Sequence, residues 1–148
     1  VAAVLRHAGA KVEIQRQMLP WLETHAAMLV VLAGAVRRNG GIRALARDAA
    51  EVEFYFSTLR EALTVLEASG TPITPASQKQ ALYRPRWLRG LSMRLSSLPY
   101  WVGAVVDDHI AMASGELAAA YRRLEARAAE AGVETPLLTS LAPYLLEG

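Results

Sequence analysis

The sequence predicts an all-α domain, a compact bundle of about seven or eight helices. Three observations carry this prediction. Twenty-seven alanines stand against two phenylalanines and five tyrosines, so the commonest residue favours helix and the strand formers are spread thin. Apolar residues recur at three- and four-residue spacing in one segment after another, and no apolar/polar alternation of useful length appears. Hydrophobic residues are 53% of the 148 and charged residues 20%, a composition that packs a core and does not suit a disordered tail. A chain of this length buries roughly 68–70% of its unfolded surface, so residues 1–148 are read as one domain.

The elements follow in order. Val1 to Ala8 reads as a short helix stopped by Gly9, and Val12 and Ile14 then alternate partly with Lys11, Glu13, Gln15 and Arg16 in a leading segment. Pro20 suits a first helical turn, and Trp21 to Arg38 is apolar on almost every face until Asn39-Gly40-Gly41 stops it. Such a helix belongs in the core. Ile42 to Arg47 is a short amphipathic turn, and Asp48 caps a longer helix with Val52, Tyr55, Phe56, Leu59, Leu63 and Leu66 on one stripe. Ser69-Gly70-Thr71-Pro72 breaks that helix and opens the longest loop, which runs on to Leu82.

From Pro85, the residues Trp87, Leu88, Leu91, Leu95 and Leu98 form a narrow apolar stripe with Arg86, Arg89 and Arg94 off it. The expected arrangement is a surface helix whose Trp87 and leucines face the core and whose arginines are solvated. Arg84 to Arg94 with Trp87 also reads as a basic patch for a membrane surface or nucleic acid, but the shared leucine stripe favours the core-facing arrangement. After Leu98-Pro99, Tyr100 to Met112 and Ser114 to Ala131 read as two helices or one bent helix, with Leu117, Tyr121, Leu124 and Ala128 inward. Gly132 ends it, and Pro136 opens a last short helix carrying Leu137, Leu138, Leu141 and Leu145.

Several function classes drop out. The absence of cysteine excludes disulfides, thiolate nucleophiles and cysteine-based zinc sites. The longest near-continuous apolar run, Ala26 to Val36, is far short of the ~20 residues that cross a bilayer, so no membrane partner is expected. Val1 and Arg6 precede no secretory h-region or cleavage site, and the chain is expected to be a trimmed or excised piece. Fourteen of the 16 basic residues are arginine, but the formal charge is only +2, too small an excess to predict nucleic-acid binding. No glycine-rich phosphate loop occurs, because Gly34, Gly40 and Gly41 follow a helix and not a strand. His7, His25 and His109 lack metal-ligand spacing, and Asp107-Asp108 beside His109 is too local to hold an ion.

Two polar residues on the buried helix need partners, because an uncompensated charge there costs several kcal/mol. Glu23 shares its face with Ala27, Val30, Gly34 and Arg37; His25 shares its face with Leu29, Leu32 and Val36 and is expected to be a hydrogen-bonded core histidine. Glu116 falls in the first turn after Ser114, where a carboxylate interacts favourably with the helix dipole.

An apolar-bearing leading segment, then Trp21 opening a buried helix, and finally a helix bearing Glu116 that runs through Ala131-Gly132-Val133 to Pro136 form an ordered pattern. Over nearly the whole chain this pattern resembles the C-terminal helical domain of the ketopantoate reductase family (2-dehydropantoate 2-reductases). The resemblance implies a fold like the C-terminal domain of 6-phosphogluconate dehydrogenase. It also implies the C-terminal half of a cytoplasmic, dimeric, two-domain oxidoreductase of pantothenate biosynthesis, which reduces a small keto acid or related carbonyl. NADP would be held mainly by an N-terminal Rossmann domain outside these residues.

Carried over residue by residue, the family's acid that binds substrate and helps catalysis falls on Glu116 and its aspartate eight residues earlier on Asp108. The family's serine in the preceding turn falls on Ala104, its catalytic lysine on Glu23 and its asparagine on Ala27. A lysine protonates the alkoxide that forms as a carbonyl accepts hydride, whereas an ionised carboxylate does not, so His25 is the nearby candidate for that role. Glu116 and Asp108 are expected to line one concavity with Glu23 or His25 within about 10 Å. The alternative is a non-catalytic helical interaction or dimerisation module that keeps the fold without the chemistry. A third possibility, the effector half of a regulator, requires a DNA-binding region absent from these residues.

Overall fold

In a computed structural model that describes residues 2–10, 17–98 and 100–146, every regular element is a helix. They are α1 (Ala2–His7), α2 (Met18–Asn39), α3 (Ile42–Arg47), α4 (Ala49–Ala68), α5 (Ser77–Leu82), α6 (Arg86–Ser97), α7 (Tyr100–Met112), α8 (Ser114–Ala131), α9 (Pro136–Thr139) and α10 (Ala142–Leu146). The bundle expected from the sequence is present, with more and shorter pieces. A turn of helix, α5, occupies the stretch read as loop, and the terminal helix divides into α9 and α10. Pro143 explains the division: it has no N–H to continue a helix from α9 but fits the first turn of a new one. The leading segment 11–16 and Pro99 lie outside the described residues.

The local signals act as the chain chemistry requires. Gly40 takes the left-handed conformation at φ +72°, and Gly40 N–H and Gly41 N–H donate to the carbonyls of Arg37 and Val36 to close α2. Asp48 Oδ1 accepts from the N–H groups of Ala50 at 2.8 Å and Glu51 at 3.2 Å, capping α4. Gly132, at φ +64°, ends α8 in the same way. The Glu61 carboxylate of α4 accepts from Leu137 N–H at 3.3 Å and Leu138 N–H at 2.9 Å and so caps α9 across the bundle.

Helix α2 is the centre of the fold, packed by α3, α4, α8 and α10. Its Val30, Val31, Ala33, Ala35 and Val36 are buried with Leu59, Leu63 and Leu66 of α4 and Tyr121 of α8. Gly34 lets the turn between α9 and α10 approach so closely that a Cβ there would stand 2.8 Å from Leu141 Cδ1 and 3.1 Å from its Cβ. By length and composition α2 is able to cross a bilayer, which the shorter Ala26–Val36 run does not suggest, but here it packs inside the bundle. Arg37 ties three elements at its C-terminal end, donating to Tyr144 O, Ile110 O and Ser114 Oγ.

Helix α6 corrects the sequence reading. Arg89 is 5% exposed and Trp87 is 70% exposed, with Leu91, Leu95 and Leu98 exposed as well. The polar side faces in because α4 offers it a seat: Arg89 Nη2 donates to Glu53 Oε2 at 2.6 Å, and its guanidinium lies 5.1 Å from the centre of the Phe56 ring.

Candidate functional site

A groove runs between α2 and the α7–α8 arm. Its larger hollow, of about 410 Å³, is lined by Leu19, Leu22, Glu23, Ala26 and Ala27 of α2, Leu66 of α4, and Ala120, Arg123, Leu124 and Arg127 of α8. A smaller hollow of about 170 Å³ adjoins it, between Ala26 and Leu29 on one side and His109, Ala113, Glu116, Leu117, Ala120 and Arg123 on the other. The two share Ala26, Ala120 and Arg123. Small alanines leave the space between the facing walls unfilled, and the arginines stand beside a largely apolar floor.

The α7–α8 side is built by one helical stripe. His109, Ala113, Glu116, Ala120, Arg123 and Arg127 are separated by four, three, four, three and four residues, the spacing that holds side chains on one face. The backbone passes through Ala113 almost without a break, since Ala113 N–H donates to His109 O and Leu117 N–H to Ala113 O. From the sequence, two helices or one bent helix stay open here and His109 is weighed only as a metal ligand, so His109 and Arg123 are not singled out as a shared face.

Glu23 finds its partners in this groove. Arg127 Nη2 donates to Glu23 Oε1 at 2.5 Å, and Thr71 Oγ1 donates to Oε2 at 2.9 Å. The Arg127 hydrogen bond, helped by Thr71 and by the charges of Arg127 and Arg123, holds the Glu23 carboxyl below the ordinary glutamate range against the opposing effect of burial. Glu23 is therefore an ionised hydrogen-bond acceptor. The loop carrying Thr71 is fastened to α2 a second time, through Thr74 N–H to Thr24 Oγ1 at 3.1 Å.

The remaining expected site residues divide. Glu116 lies in the first turn of α8, as read from the sequence, and lines the smaller hollow. Ala27 is buried in the wall of the larger one, where its methyl cannot supply an amide's hydrogen bonds. His25 is not a core histidine: it is exposed, stacked on Trp21 with ring centres 5.0 Å apart, and lines neither hollow. Ala104 and Asp108 are exposed on α7 away from the groove lining. The helical turn decides this, because the residues that face the groove are His109 and Ala113, while Asp107 faces α3 and accepts from Ile42 N–H at 3.2 Å.

Among the described residues no group of three or more His, Asp or Glu is placed to hold a metal ion. Among the described residues no strand leads through a glycine-rich turn into a helix, the arrangement that holds the pyrophosphate in a Rossmann-type domain. The two hollows combine apolar walls with the Glu23–Arg127 ion pair, Arg123, Glu116 and His109. The chain has no significant match to a protein-family model, to a curated protein or to a solved structure.

Proposed function

We propose that this chain is the substrate-binding and dimerisation domain of a ketopantoate-reductase-like, NADP-dependent oxidoreductase that reduces a small keto acid or related carbonyl. The observation that supports this reading is the groove itself. Glu23 and Glu116, which the family pattern assigns to one site, line adjoining hollows that share Ala26, Ala120 and Arg123. In this reading Arg123 pairs with the substrate carboxylate, in the forked geometry a guanidinium makes with such a group. Glu116 accepts a hydrogen bond from a substrate hydroxyl, and His109 brings an imidazole, the side chain that most often moves a proton near neutrality, to the carbonyl oxygen. Leu29, Ile110 and Leu117 exclude water from the apolar part. The hydride donor binds outside these residues, so the chemistry assigned to this chain is orientation, charge pairing and proton delivery.

One observation favours the second reading, a non-catalytic interaction module: the lysine position is held by a carboxylate already paired with Arg127. Kinetics of the full-length polypeptide separate the two. With NADPH and a short 2-keto acid, Glu116→Ala and Arg123→Ala should each lower kcat/KM by about 10²-fold, while His25→Ala leaves it within about twofold. Wild-type turnover that neither groove variant reduces removes the groove from the reaction, and no turnover with any short keto acid supports the non-catalytic module.

A further inference from the structure

We propose that α6 is a membrane-surface helix that seats this domain on an anionic lipid bilayer. The helix is amphipathic and faces the opposite way from a core helix. Trp87, Leu91, Leu95 and Leu98 recur at four-, four- and three-residue spacing and all are exposed, at 70%, 44%, 56% and 69%. Along the axis they extend over about 16 Å at 1.5 Å per residue. The helix is fixed in this orientation by its polar side, because Arg89 is buried against Glu53 and the Phe56 ring. Water-facing leucines held outward by the buried Arg89 and its half-buried Glu53 partner are an apolar face awaiting a partner.

Charge identifies the partner. Between Glu67 and Asp107 the chain has no acidic residue and five basic ones, Lys79, Arg84, Arg86, Arg89 and Arg94. Arg84, Arg86 and Arg94 are exposed beside the stripe, as is Arg47 at the end of α3, whose carbonyl accepts from Arg94 Nη2. Glu53, the carboxylate nearest this helix, is engaged by Arg89 and by Arg86. A second copy placed symmetrically on this face would set Arg84, Arg86 and Arg94 against their own counterparts, with the Glu53 carboxylate already engaged by Arg89 and Arg86. An anionic lipid surface satisfies both halves of the helix: leucines and Trp87 enter the headgroup boundary while the arginines reach phosphates alongside. The preference for a core-facing helix over a membrane-surface patch rests on Trp87 facing the core, which it does not.

Flotation of this chain with vesicles tests the proposal independently of any enzymatic reading. Vesicles of equimolar phosphatidylcholine and phosphatidylglycerol should carry the protein up the gradient, vesicles of phosphatidylcholine alone should not, and added salt should release it. Leu91→Glu with Leu95→Glu should weaken partitioning about tenfold or more, and Arg84→Gln with Arg86→Gln by a similar factor with a flatter salt dependence. All four positions are exposed, so the melting temperature should hold and report that the variants fold. Absence of wild-type binding, or binding that the leucine variants leave unchanged, overturns the proposal. So does a wild-type dimer that Leu95→Glu converts to monomer without any vesicle binding, which would make the face an interface between copies.

Discussion

A carboxylate half-buried on a core helix persists only where cations and donors meet it, and Glu23 meets Arg127 and Thr71. The need for a partner was legible in the sequence; the partner was not, because Arg127 is 104 residues away and comes near only once α2 and α8 pack. Since the folded state depresses the Glu23 pKa, the pair's contribution to stability is fully present above the ordinary value of 4.5 and is lost as pH falls through the lower folded value. Glu23→Gln should therefore lower the melting temperature at neutral pH, and the gap to wild type should close as the solution is acidified below 4.5. Thermal melts along a pH series check this, and a gap that stays constant or widens in acid would remove Glu23 from the pair. His25 was misread for a related reason: a residue on a mostly apolar helix need not face the core, and Trp21 one turn earlier shields its ring at the surface.

At the scale of the element, periodicity locates an apolar face without saying where the core lies. The stripe of α6 was plain in the sequence, but its direction was set by Glu53 and Phe56 on another helix, which no local pattern contains. Arg89 is the residue that fixes it. Arg89→Ala should cost about 2 kcal/mol, the usual worth of a hydrogen bond to a charged group, because Glu53 keeps Arg86 and part of its solvation. Chemical denaturation measures that loss, and an unchanged midpoint would mean α6 is held by its apolar contacts alone. The groove stripe was equally legible, since His109, Glu116, Arg123 and Arg127 recur with helical spacing. The sequence does not say whether the helical register carries through Ala113, and the stripe is continuous only if it does.

At the scale of the molecule, the all-α class, the caps at Asp48 and the stops at Gly40 and Gly132 were readable because each is a local rule obeyed locally. The groove was not, being a property of how two helices far apart in the chain face one another across paired alanines. The resemblance brought Glu23 and Glu116 to one region; packing replaced Asp108 and His25 with His109 and Arg123 as their neighbours. The central claim, that this groove seats a small keto acid, is tested most directly by titrating the chain with a short branched 2-keto acid while following its backbone amide resonances. Saturable shifts confined to Ala26, Leu29, His109, Glu116, Ala120 and Arg123, and abolished by Arg123→Ala, are expected. Shifts scattered over the surface, or the same shifts in Arg123→Ala, would contradict it.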